Sequence, residues 1–69
     1  MLTFFSLQVL YNFSTQAEGD LAVAAGEVVL IVSCPSRDWV EVENSSGERG
    51  NVPGNHLDPR PDFDGKVYT

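Results

Sequence analysis

WVEVENSSGERGNV, residues 39–52, is the stretch whose reading decides the fold. Residues 39–43 alternate in character and read as a strand. Asn44, Ser45, Ser46 and Gly47 form a hairpin turn by composition, because such residues bond their own backbone or accept turn geometry cheaply. Residues 48–52 then return antiparallel. Alternation puts Val40 and Val42 on one face and Trp39, Glu41 and Glu43 on the other. The valines belong to a core, so the tryptophan shares the outer face with two carboxylates. A large aromatic in that position has two readings. It covers a barrel end or a neighbouring loop, or it is a contact surface for a partner, since tryptophan is enriched at binding hot spots. On the returning strand Gly50 and Val52 point inward, and Asn51 points outward onto the tryptophan's face. Gly50 lets the facing chain come close. Pro53 cannot donate to a ladder and ends the strand. The turn that follows brings Pro53, Asn55 and His56 near Trp39.

The same punctuation recurs outward from this hairpin. Residues 28–32 are an unbroken apolar run rich in β-branched side chains, the strongest strand in the chain. Residues 33–38, SCPSRD, are a loop. Upstream, Leu21 and Val23 alternate with Ala22 and lead into a turn at Ala25, Gly26 and Glu27. STQAEGD, residues 14–20, is a polar, acidic loop, and residues 7–13 are a first strand. Beyond Leu57 the periodicity fades into DPRPDFDGKVYT, read as a linker or tail. No helix-period stripe and no internal repeat are present. Five short strands in such a length predict an all-β domain, built as a small barrel or a pair of orthogonal sheets.

Size and charge narrow the function. With 69 residues there is one small domain and no room for an enzyme fold with a deep pocket. Neither a nucleophile–base pair nor a phosphate loop is evident, so no enzyme activity and no cofactor are expected. Ten acids against four bases give a net charge of -6, which argues against nucleic acid and fits a partner carrying lysine or arginine. The single cysteine, Cys34, cannot form an internal disulfide and points to a reducing, intracellular, cytoplasmic setting, as an inert loop thiol. Two glycosylation sequons, at Asn12 and Asn44, are discounted for the same reason. No apolar run is long enough for a membrane span, and MLTFFSLQVL is not read as a signal peptide. His56 is the only histidine and is not a metal ligand on this pattern. Phe4, Phe5 and Phe63 lie outside the core pattern, and Tyr68 is a candidate modification site.

Six pieces, in order, carry a family likeness: VLYNF (9–13), STQAEGD (14–20), DLAV (20–23), AGE (25–27), DWV (38–40) and GNVPGNHL (50–57). Together they resemble the Src-homology-3 domain, over residues 7–59, with 1–6 as a flank and 60–69 as a tail or linker. The resemblance implies a five-stranded, partly open barrel of two orthogonally packed antiparallel sheets. It also implies a non-catalytic module that binds proline-rich segments in the polyproline II conformation, usually PxxP with a flanking basic residue. Carried over by position, Tyr11 and Phe13 line proline pockets, and Trp39 separates these from the pocket for the basic residue. Pro53 and Asn55 match the family's proline and asparagine, and Glu18 and Asp20 match the acids that pair with a ligand arginine. Val40 stands where the family has a second, variable tryptophan.

Three positions depart from the family pattern. Phe13 lacks the hydroxyl of the usual tyrosine, while Asn51 and His56 replace tyrosines. Aromatic walls supply most of the dry contact with proline rings, so a shallower groove with altered specificity is expected. The implied protein is a larger intracellular scaffold or adaptor that carries this unit as a monomeric domain. The competing expectation is a structural docking domain, held against another part of its own chain. The departures favour that alternative, as does an outward placement of Val28 and Leu30.

Overall fold

The computed structural model describes residues 6–15 and 17–61. Readings that concern Phe4, Phe5, Phe63 and Tyr68 lie outside the described residues, as does most of the tail. The described chain is built from five strands: β1 (Ser6–Val9), β2 (Val28–Ser33), β3 (Trp39–Glu43), β4 (Arg49–Pro53) and β5 (Leu57–Asp58). A single 3-10 turn, Gly54–His56, joins β4 to β5. The strands form one antiparallel sheet in the order β4-β3-β2-β1-β5. Its continuous ladder runs through what the sequence suggested as a pair of sheets.

The central hairpin forms as its alternation requires. Trp39 pairs with Pro53, Val40 with Val52, Glu41 with Asn51, and Val42 with Gly50. Partners directly opposite share a face, so Val40, Val42, Gly50 and Val52 look inward and are buried. Asn44 holds the turn. Its side-chain oxygen accepts from the backbone N–H groups of Ser46 and Glu48, at 3.0 and 2.9 Å. At the turn end of this hairpin Arg49 Nε donates to Glu43 Oε1 at 2.8 Å. That hydrogen bond, and the charge behind it, raise the pKa of the exposed guanidinium.

Strand β2 alternates until a bulge between Ile31 and Ser33, where the register against β3 shifts. The extra residue, Val32, turns inward beside Ile31, so consecutive side chains are buried. Ser33 returns to the outer face and its hydroxyl donates to Glu41 Oε1 at 3.0 Å.

Two expected elements differ. The first strand stops at Val9 instead of running to Phe13, because the backbone finds other partners. Val9 exchanges bonds with the turn at Gly26 and Glu27, and the Leu10 N–H donates to the His56 carbonyl at 2.6 Å. Residues 21–23 form no strand either. They meet the departing chain in one bridge, Phe13 to Val23. The fifth strand is instead Leu57–Asp58, which pairs with β1 at Val9 and Gln8.

The core gathers side chains from every strand and from the long loop: Leu7, Val9, Leu21, Val23, Val29, Ile31, Val40, Val42, Val52 and Leu57. Cys34, expected as a loop thiol, belongs to this core. Phe13 packs on its rim, half-buried.

Candidate functional site

The outer face of the β3–β4 hairpin and the two loops beside it converge on Trp39. Being the first residue of β3, it lies at the end of the ladder, and its side chain is 36% exposed. Its backbone N–H donates to Ser36 Oγ at 3.2 Å, which fixes where the 33–38 loop hands over to the strand. Among the described residues no hydrogen bond uses its indole N–H. Directly across the ladder stands Pro53, so the proline ring and the indole share one face.

The remaining rings continue from there. Phe13 meets Trp39 edge-on, with centroids 6.0 Å apart. His56 meets Phe13 at 5.8 Å and Tyr11 at 5.6 Å, each close to perpendicular. Edge-to-face contacts of this kind satisfy the quadrupoles of the rings. The row therefore runs Trp39, Phe13, His56, Tyr11, with Tyr11 the most open at 60% exposure. The 3-10 turn places His56 in that row, because its carbonyl is tied to Leu10, next in chain to Tyr11. His56 Nδ1 is buried and has no hydrogen-bond partner among the described residues.

The acidic loop is anchored to the same hairpin. Asn51 N–H donates to the Gly19 carbonyl at 2.9 Å, and Leu21 N–H donates to the Asn51 carbonyl at 3.1 Å. Asn51 is thus the residue that ties the loop down, a backbone role its side-chain identity does not announce. Within the loop the Thr15 hydroxyl donates to Asp20 Oδ2 at 3.3 Å, while Glu18 is exposed. Asp20 thereby stands beside the Glu41–Asn51 rung, one face-sharing step from the Trp39–Pro53 rung, and Glu18 lies two residues before it in the loop.

A pocket opens on the other flank of Trp39. It is lined by Asp38, Trp39, Pro53, Asn55 and Arg60. The expected neighbours Pro53 and Asn55 do meet the tryptophan there, whereas His56 reaches it only through Phe13. Sequence reasoning missed Asp38 and Arg60. Arg60 lies where periodicity fades, and no local pattern marks it. The strand pairing of Leu57–Asp58 is what returns the chain to this side. Among the described residues no cluster of side chains is suited to hold a metal ion.

The arrangement is a mostly aromatic strip with acid on one side. The model of the SH3 domain matches residues 8–54. The chain is similar to an actin cytoskeleton-regulatory complex protein, SLA1, of Yarrowia lipolytica, at 42% identity over 55 residues, which is 78% of this chain and 5% of that protein. It is 38% identical, over 80% of its length and 9% of the relative's, to epidermal growth factor receptor kinase substrate 8-like protein 3 of Mus musculus. The SH3 domain-containing protein Dlish of Drosophila melanogaster is 37% identical over 74% of this chain and 14% of its own length. The chain thus spans a small part, 5% to 14%, of these curated relatives. Among solved structures, the C-terminal SH3 domain of myosin IB from Entamoeba histolytica, bound to an EhFP10(GEF) peptide, superposes with a TM-score of 0.74. That match covers 83% of this chain and 93% of the other at 21% identity, a likeness of fold.

Proposed function

The chain belongs to the SH3 domain family, a family of non-catalytic protein-interaction modules, and from that premise we propose that it binds proline-rich segments of partner proteins along the row from Trp39 to Tyr11. One observation carries this reading: Trp39, Phe13, His56 and Tyr11 form an unbroken line of rings on the surface, beside Pro53. A polyproline II segment is already extended and loses little entropy on docking. Its prolines stack between Tyr11, Phe13 and His56, and its free carbonyls accept from the Trp39 indole N–H and the Asn55 amide. An arginine or lysine beside the proline segment pairs with Glu18 and Asp20. Asn51 serves as the floor of that basic-residue pocket. We take the chain to be a monomeric domain, residues 7–59, of a longer intracellular protein. The cytoskeleton-regulatory naming of its relatives supports that setting.

The test uses the chain's only tryptophan. The Trp39 indole N–H resonance is followed while arginine-flanked PxxP peptides are added. The resonance is expected to move and saturate. Trp39→Ala should leave the domain folded and weaken the best peptide by about 2 kcal/mol or more. Unchanged affinity would place the groove elsewhere. A second reading, docking against another part of the parent chain, is favoured by Val28, which is 57% exposed on the outer face of β2. An indole resonance silent to the whole peptide set supports that reading.

A further inference from the structure

We propose that Arg60 is a specificity-determining residue: the pocket it lines beside Trp39 takes an aspartate or glutamate side chain of the bound peptide. The inference rests on the peptide-binding reading above and adds a second charge requirement to it. In a chain of net charge -6, positive charge is scarce. Of the arginines among the described residues, Arg49 is engaged by Glu43 at 2.8 Å. Arg60 lines this pocket and makes no ion pair there among the described residues.

Arg60 is held in place without being neutralised. Its Nη2 donates to the Arg37 backbone carbonyl at 3.1 Å. Its stem passes the 3-10 turn where Gly54 offers no side chain, and a Cβ built there would lie 3.6 Å from Arg60 Nε. The guanidinium has five N–H donors in a fixed fork, and this contact uses one nitrogen. The rest remain for an acceptor in the pocket, and a carboxylate is the acceptor that matches the fork. Asp38 also lines the pocket, and among the described residues no ion pair joins it to Arg60, so it does not take up the free guanidinium donors.

The position sets a direction. Along β4 the acidic loop joins at Asn51, Trp39 pairs at Pro53, and Arg60 with Asn55 lies beyond. No described residue of the 14–20 loop lines the pocket. A peptide with its basic residue at Glu18 and Asp20 therefore presents its other flank to Arg60. Peptides with opposite charges on the two sides of the tryptophan fit in one orientation, and the reversed peptide sets like charges against each other.

The experiment titrates paired peptides against the domain. All share one arginine-flanked PxxP segment, and each pair carries glutamate or glutamine at one successive position away from the arginine. At one position or more, glutamate should bind about two- to fivefold tighter than glutamine, the yield of an exposed ion pair. Arg60→Gln should abolish that preference, leave the glutamine peptides unaffected and keep the melting temperature. The preference should also shrink as salt rises. Glutamine peptides that bind, with no glutamate preference at any position, overturn the role of Arg60 and leave the groove reading standing. A preference that survives in Arg60→Gln overturns it too. Binding by no peptide at all overturns the groove reading and this inference with it.

Discussion

Gly50 leaves no room for a side chain. A Cβ at this position would lie 2.8 Å from both the Cβ and the backbone nitrogen of Leu21, and 2.9 Å from the Asp20 carbonyl carbon. Two of these are backbone atoms, which cannot rotate away. Gly50→Val is therefore expected to destabilise the domain by about 3 kcal/mol, the upper end of the usual overpacking range, read as a fall in melting temperature. A variant as stable as the parent would mean that the 20–21 segment is free to lift. The sequence announced that Gly50 faced inward, but not what it faced. The close neighbour is the end of the acidic loop, far away in the chain. His56 poses the opposite problem, a polar atom without a partner. Burying Nδ1 unbonded costs of order 1–3 kcal/mol, and the ring offers less apolar surface than a phenol. His56→Tyr removes that atom and restores ring area with a hydroxyl toward the ligand. It should tighten binding of an arginine-flanked PxxP peptide by about 1 kcal/mol, measured by calorimetry at neutral pH. Weaker binding by the tyrosine form would mean that the imidazole makes a ligand contact of its own.

At the scale of elements, strands whose pattern is local were legible and those made by distant partners were not. The β3–β4 hairpin carries alternation, a turn and a stop within a single stretch, so its register followed from the sequence. The apolar run of β2 was equally plain, although the bulge at Val32 was not, since nothing in VVLIVS distinguishes a bulged from a regular buried run. Strand β5 has two residues, too few for any period to appear. It exists because β1 offers an edge. Conversely, residues 21–23 alternate like a strand but form no ladder: Val23 bridges to Phe13, and the Leu21 N–H donates to the Asn51 carbonyl. The acidic loop is the element with the clearest functional test. It is pinned by backbone bonds at Asn51, so changing its side chains should not release it. Glu18→Gln with Asp20→Asn is expected to slow association with an arginine-flanked peptide and flatten its dependence on salt, followed by stopped-flow fluorescence of Trp39. Equal rates and equal salt slopes would exclude a basic-residue pocket beside this loop.

For the whole molecule, the order β4-β3-β2-β1-β5 explains why the ring row was only partly legible. Trp39 and Pro53 were found from the pairing of neighbouring strands. Tyr11 and Phe13 come from a segment that has left the sheet, and their meeting with His56 depends on closure between the two ends of the chain. Resemblance supplied those positions, and alternation alone did not. The same closure has a mechanical consequence. Strands β1 and β5 are antiparallel neighbours, with Gln8 opposite Asp58, so the start of β1 and the end of β5 lie at one end of a single ladder. A longer protein stretched from both sides would pull these strands apart end-first, like the two halves of a zip, and would break their bonds in succession instead of loading them together. Under traction the unit would open early, and the first part to go would be the stretch that holds the Tyr11–His56 end of the strip in line.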